Sequence, residues 1–167
     1  MTGMMNAQNS LFSFSNNENE KGWLIVNDGV MGGLSKGHFE VIGQEAIFNG
    51  TVSTDNNGGF TMVRNQFEKK SLSAYKAFIL ELKGDGKTYQ FRVKSSANQQ
   101  HSYVYTFTTN SEWQKISIPF SSLEPRFRGR IVDISNFEGI QIEEIAFLIG
   151  NKKEESFELI LKQISLE

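Results

Sequence analysis

Apolar residues in this chain recur at every second position, in short runs separated by turns rich in glycine and asparagine. Tyr89, Phe91 and Val93 fall on one side of such a run, with Gln90, Arg92 and Lys94 on the other. Phe78, Leu80 and Leu82 alternate in the same way, as do His101, Tyr103, Tyr105 and Phe107. Successive side chains of a strand point to opposite faces, so a period of two predicts half-buried β-strands. The pattern predicts strands at 23–26, 37–42, 45–53, 59–66, 77–83, 88–94, 102–108, 114–119, 142–149 and 157–166. Gly43 and the Gly84, Asp85, Gly86 run read as hairpin connections, because Gly and Asp tolerate positive φ. Helix-like patterning is confined to 67–74 and 136–139, a turn or two each. About ten antiparallel strands at this spacing predict an all-β protein, a β-sandwich with at most one or two short helical turns.

Residues 1–10 read as a polar lead-in and 11–167 as a single β-sandwich domain, with a second polar stretch at 16–20 too hydrophilic to pack. At 167 residues one domain buries a full core without staples. Fourteen Phe against two Pro favour sheet, since Phe suits a pleated, half-buried surface. The absence of Cys excludes disulfides, thiolate metal sites and cysteine nucleophiles, and suits a reducing compartment. A net charge of −2 offers no basic footprint for nucleic acid. No apolar run approaches the ~20 residues of a membrane helix, so no transmembrane segment is expected. Met1 to Ser10 holds no Lys or Arg, hence neither a secretory n-region nor an Arg-rich transit peptide, and a cytoplasmic location is expected. The glycosylation sequon at Asn49 is then idle.

Several motifs have a chemical and a plainer reading. Gly33, Ser35 and Gly37 fit the G-x-S-x-G pattern of a hydrolase nucleophile elbow, but that device needs a helix directly after the serine. Here residues 38–42 alternate like a strand, so a glycine-rich turn is the better account and no catalytic residue is expected. Gly84 to Thr88 contains the GKT of a phosphate loop yet joins two strands, which makes it a hairpin turn. His38 and His101 lack ligand spacing, so no metal site is expected from them. Asp28, Asp55, Asn56 and Asn57 are loop residues that suit a structural calcium, although without an EF-hand pattern. No pair among the 19 acidic residues stands out for glycosidic cleavage. No cofactor is implied.

Arg64 and Arg92 are sharper candidates, because each interrupts an otherwise apolar strand. Tyr103, Tyr105 and Trp113 follow in chain order, and their rings suit stacking on a flat ligand or anchoring a partner side chain. The competing reading makes the aromatics core, Trp113 above all, and pairs the arginines with Glu81 or Asp85 at the rim.

Trp23, the Asn27–Gly33 run of Asn, Asp, Gly, Val, Met, Gly, Gly, and Ser35 form the most specific stretch. With Phe48 to Gly50, Gly58 to Phe60, Arg64, Gly84 to Gly86, Tyr89, Trp113, Pro119, Phe120 and Phe127 to Gly129, the chain resembles the complex I intermediate-associated protein family over residues 11–166. It departs from the family at Glu154 to Ser156, where a glycine-containing turn is usual. The resemblance implies a jelly roll similar to galactose-binding domains and a non-catalytic role. It also implies a protein partner among respiratory-complex subunits, since mitochondrial members assist assembly of NADH:ubiquinone oxidoreductase. Without a transit peptide, a bacterial cytoplasmic relative is expected. The partner site is expected at the loop carrying Asn27, Asp28 and Ser35, at Arg64 and Arg92, and at Arg128, although Asn27 and Asp28 also suit pinning the glycine turn by hydrogen bonds. The alternative is a carbohydrate-binding module, which requires solvent-exposed Tyr103 or Tyr105 in a groove with Arg92. A hydrolase using Ser35 is third.

Overall fold

A computed structural model describes residues 9–14, 21–31, 33–55 and 58–167. Among them the alternating runs become β1 (Ser10–Ser13), β2 (Trp23–Asn27), β3 (Lys36–Ile42), β4 (Glu45–Val52), β5 (Thr61–Ser71), β6 (Ala77–Lys83) and β7 (Thr88–Lys94). Then follow β8 (Ser102–Thr108), β9 (Trp113–Pro119), β10 (Glu124–Phe127), β11 (Arg130–Ile131), β12 (Gln141–Ile149) and β13 (Glu155–Leu166). The strands form two antiparallel sheets. A six-stranded sheet has the order β3-β4-β13-β6-β9, with β1 also on β13, and a seven-stranded sheet runs β11-β10-β8-β7-β12-β5-β2. This is the expected jelly-roll sandwich.

The inward faces supply the core. Tyr89, Phe91 and Val93 of β7 are fully buried, as are Ile145, Phe147 and Ile149 of β12 and Phe78, Leu80 and Leu82 of β6. Rings bridge the layers: Phe78 meets Phe91 at 5.1 Å and Tyr89 meets Phe157 at 6.3 Å between centroids. Burying each such side chain stabilises by ~1.5–3 kcal/mol. A slip of β7 by one residue would bring Arg92 into the core and turn Phe91 outward, so burial alone fixes the register.

Several expectations need correction. The helix-like patch at 67–74 is mostly strand: β5 continues to Ser71, because across a bulge its end pairs Lys70 with Ile142 and Ser71 with Gln141. Residues 136–139 are irregular, held by the Phe137 N–H donating to the Leu123 carbonyl and by the Phe137 ring packing on Phe120. The helical turns lie instead at Asp28–Met31 and Phe120–Ser122, both 3-10. Ser10, placed in the lead-in, opens strand β1, and the following Phe14 is fully buried. Trp113, read as core, is 42% exposed on the outer side of the six-stranded sheet, where Lys162 Nζ lies 5.6 Å from its ring. The polar residues 16–20, with Asn56 and Asn57, lie outside the described residues.

Candidate functional site

The glycine-rich loop between β2 and β3 is organised around one carboxylate. Asp28 is buried, and its oxygens accept four hydrogen bonds: from Ser35 N–H (3.1 Å), Ser35 Oγ (2.6 Å), Gly59 N–H (2.5 Å) and Phe60 N–H (3.2 Å). Two loops distant in sequence are thereby tied together. Burial pushes the Asp28 carboxyl up, but the hydrogen bonds from Ser35, Gly59 and Phe60 outweigh it and hold it below its ordinary value. Gly33 and Gly58 are required here because a Cβ on either would overlap the Asp28 carboxylate. Ser35 Oγ also accepts from the Ser53 N–H at 2.9 Å, and β3 rather than a helix follows it. The nucleophile elbow is therefore absent and Ser35 is a structural tie. Asn27 Oδ1 accepts from Thr61 Oγ1. Asp28 thus pins the glycine-rich loop through backbone N–H groups, as its plainer reading had it, while Asn27 holds a neighbouring side chain and Ser35 is a further tie. Three of the four donors converge on Asp28 Oδ2.

Arg64 and Arg92, by contrast, are brought together. Both stand on the outer face of the seven-stranded sheet, one on β5 and one on β7, with Ala146 of β12 directly opposite each. One strand separates them, so their backbones lie about 10 Å apart. Ala146 is fully buried between the two arginine positions although it points outward. The same row continues to Leu24 beyond Arg64 and to Val104 and Glu124 beyond Arg92. In the next row Glu144 pairs with Gln66 and Lys94, and a row on the other side holds Val26, Met62, Leu148, Gln90 and Thr106. No aromatic ring occurs in these rows.

The charges on this face are unevenly matched. Glu144 is 4% exposed at its side chain; its Oε1 accepts from Gln66 Nε2 at 2.8 Å and lies 3.8 Å from Arg64 Nη1, beyond hydrogen-bond length. Arg64 Nε is buried with no hydrogen-bond partner among the described residues. Arg92 donates from Nη1 to Gln90 Oε1 at 2.7 Å. Burial pushes the Arg92 guanidinium down, Glu144 pulls it back up, and Arg126 pushes it down again. Arg126, two strands further on β10, is itself paired with Glu124 at 3.2 Å. The expectation that Arg64 and Arg92 pair with Glu81 or Asp85 fails. Glu81 is on the outer side of the other sheet, while Asp85 accepts hydrogen bonds from Tyr89 Oη and the Glu158 N–H. Glu144 was missed by sequence reasoning, although a lone acid in the apolar run 142–149 is a signal of the same kind as the two arginines.

Tyr103 and Tyr105 do not join the arginines. They pair with Val93 and Phe91, which places them on the inward face, opposite in sense to Arg92, and both pack partly buried against the core. Tyr103 meets Phe137 at 5.2 Å. The groove of exposed tyrosines beside Arg92 is thus corrected by strand register. Arg128 is remote from the pair, exposed at the tip of the β10–β11 hairpin with its guanidinium 5.2 Å from the Phe127 ring. On the outer side of the six-stranded sheet a cleft of about 350 Å³ is lined by Ile79, Glu81, Lys115, Ser117 and Gln163, and β9 also carries exposed Trp113 there.

Comparisons with known proteins agree with this architecture. A family model described as Complex I intermediate-associated protein 30 matches residues 12–161. The uncharacterized protein C9E9.15 of Schizosaccharomyces pombe is 31% identical over 180 residues, covering 92% of this chain and 81% of that protein. Among solved structures, the family 11 carbohydrate-binding module of the cellulosomal cellulase Lic26A-Cel5E of Clostridium thermocellum superposes with a TM-score of 0.68 at 21% identity, covering 94% of this chain and 92% of that one. A family 29 carbohydrate-binding module gives a TM-score of 0.53 at 12% identity, covering 95% and 86%. At such identities the likeness is one of fold. Among the described residues no helix is long and apolar enough to cross a membrane.

Proposed function

We propose, because this chain belongs to the complex I intermediate-associated protein 30 family, that it is a non-catalytic module holding a protein partner while respiratory NADH:ubiquinone oxidoreductase is assembled. The partner lies on the outer face of the seven-stranded sheet. The observation that supports this reading is the Arg64, Ala146, Arg92 row, where two incompletely matched guanidinium groups stand among the aliphatic side chains of Leu24, Met62, Leu148 and Val104. Such a mixture suits a peptide surface, with apolar contact for area and arginine for direction.

Saccharide binding is the second reading, and it belongs to the other sheet. Sugars are gripped by stacking on aromatic rings, and the rows around the two arginines carry none. Trp113, beside the cleft that Glu81, Lys115 and Gln163 line, supplies one.

A photo-cross-linking residue at Met62 or Leu24 tests the first reading in cells of the native host, with Ser117 on the opposite sheet as the control. Respiratory-complex subunits should cross-link from Met62 and Leu24 and not from Ser117. Cross-links from Ser117 alone, or none from either face, would refute it. Titration with a mixed-linkage β-1,3-1,4 tetrasaccharide, against the wild type and Trp113→Ala, tests the second.

A further inference from the structure

We infer that the row Arg64, Ala146, Arg92 is a carboxylate seat, and that the partner presents to it an acidic side chain on an extended peptide segment. The inference rests on the protein-holding reading and gives it a chemistry. Three arginines and a lysine (Arg64, Arg92, Arg126 and Lys94) share this face with two acids, Glu144 and Glu124. The chain as a whole carries a net charge of −2, so the excess is local. The two acids do not satisfy the cations. Glu124 is engaged by Arg126, and Glu144 receives its 2.8 Å hydrogen bond from Gln66, leaving Arg64 at 3.8 Å. Each guanidinium has five N–H donors. Against these stand one hydrogen bond from Arg92 to Gln90 and the long contact of Arg64 with Glu144.

Ala146 ends in a methyl group, so nothing from β12 holds the two long side chains apart, and Ala146 itself is fully covered between them. Arg64 Nε, buried and without a partner among the described residues, marks the side on which an acceptor is missing. An unmet buried donor costs ~1–3 kcal/mol until an acceptor arrives, and an ionised carboxylate is the strongest acceptor a protein offers. Burial, and to a lesser degree Arg126, lowers the affinity of Arg92 for its proton, and the charge of Glu144 offsets only part of that. A peptide, rather than an anionic sugar, fits the surroundings. Leu24, Val26, Met62 and Leu148 supply aliphatic contact, and none of the three rows around the arginines carries a ring for a pyranose to stack on.

A phage-displayed random dodecapeptide library selected on the folded protein tests this without knowledge of the partner. Recovered peptides should be enriched in Asp and Glu. Their synthetic forms should bind in fluorescence anisotropy, more weakly at high salt, and should lose about tenfold when the acid becomes its amide. Arg92→Gln should weaken binding to the same extent with an unchanged melting temperature. The double variant Arg64→Gln with Glu144→Gln, which removes the opposed charges together, guards against a fold defect in Arg64→Gln alone. Recovered peptides that are neutral, or that bind Arg92→Gln as tightly as the wild type, would overturn the carboxylate seat while leaving the protein-holding reading intact. No recovered peptide, with or without oligogalacturonate binding to the wild type, would overturn both, and oligogalacturonate binding lost in Arg92→Gln would assign the seat to an anionic saccharide.

Discussion

Ser35 Oγ stands 2.6 Å from Asp28 Oδ2 and gives it a hydrogen bond, while the same hydroxyl accepts one from the Ser53 N–H. A serine so placed joins three loop segments, and the carboxylate that accepts its proton, held below its ordinary value by N–H donors, is a poor base to activate it. Ser35→Ala should therefore cost ~1–2 kcal/mol of stability and leave partner binding unchanged. In a chain of this length that is a fall of several degrees in melting temperature. A fluorophosphonate probe should label the wild type no more than the variant; labelling that depends on Ser35 would mean a nucleophile after all.

Asp28 carries more of the same joint. Its removal strands the N–H groups of Ser35, Gly59 and Phe60 in a buried loop. Asp28→Ala should cost ~3–5 kcal/mol, a large part of the ~5–15 kcal/mol that holds an ordinary domain together. Urea denaturation measures it, and a loss under 1 kcal/mol would show that the loops hold each other without this carboxylate.

The pH dependence of that contribution has a definite sign. The folded Asp28 carboxyl is held below its ordinary value of 3.8, so as the pH falls the unfolded chain takes up the proton first. The stabilisation is complete above the ordinary carboxylate range and is lost as the pH falls through the folded value. The stability difference between wild type and Asp28→Asn should be flat from neutrality to about pH 5 and shrink below about pH 4. A difference that grew on acidification would contradict the assignment.

Much of this was legible in the chain and some was not, for reasons that trace to particular residues. Strands β6, β7 and β8 coincide with the runs 77–83, 88–94 and 102–108, because Leu82, Phe91 and Phe107 alternate with polar neighbours and burial enforces that alternation. Strands β10 and β11 were invisible: they have four and two residues and exist by pairing with β8 and with each other, which leaves no period to detect. Residues 67–71 looked helical because local patterning there is weak, and pairing to β12 decides their state. The site divides in the same way. Arg64 and Arg92 stood out as charges in apolar strands, but their adjacency depends on β12 lying between β5 and β7, a crossover that sequence order conceals. Tyr103 and Tyr105 were assigned by proximity in the chain to a face that the period of two denies them.

Tyr89 offers a spectroscopic test of the core. Its ring is fully buried, and its hydroxyl donates to Asp85 Oδ1 at 2.9 Å. Burial, reinforced by the Asp85 charge, pushes the phenol far above its ordinary value of 10.0. A raised folded value means the stabilisation is present below the ordinary phenol range and is lost as the pH climbs toward the folded value. In an alkaline absorbance titration Tyr89 should ionise only when the chain unfolds, and Tyr89→Phe should remove that last component at a cost of ~1 kcal/mol. Ionisation of all four tyrosines in the folded protein near pH 10 would exclude this arrangement.

Arg128 separates binding from folding at the hairpin tip. Its backbone lies at φ 52°, in the left-handed region that disfavours a side chain, and Gly129 follows at φ 79°. Glycine at position 128 relieves a strain of ~1–2 kcal/mol, while the lost contact of the guanidinium with the Phe127 ring returns ~0.5–1 kcal/mol at an exposed site. A more flexible unfolded chain takes back up to ~1 kcal/mol more. Arg128→Gly should thus fold within about 1 kcal/mol of the wild type, as a melting curve will read. Any loss of partner capture in that variant then reports on recognition, because the fold has been left as it was. Unchanged capture would confine recognition to the arginines of the seven-stranded sheet and retire Arg128 from the site.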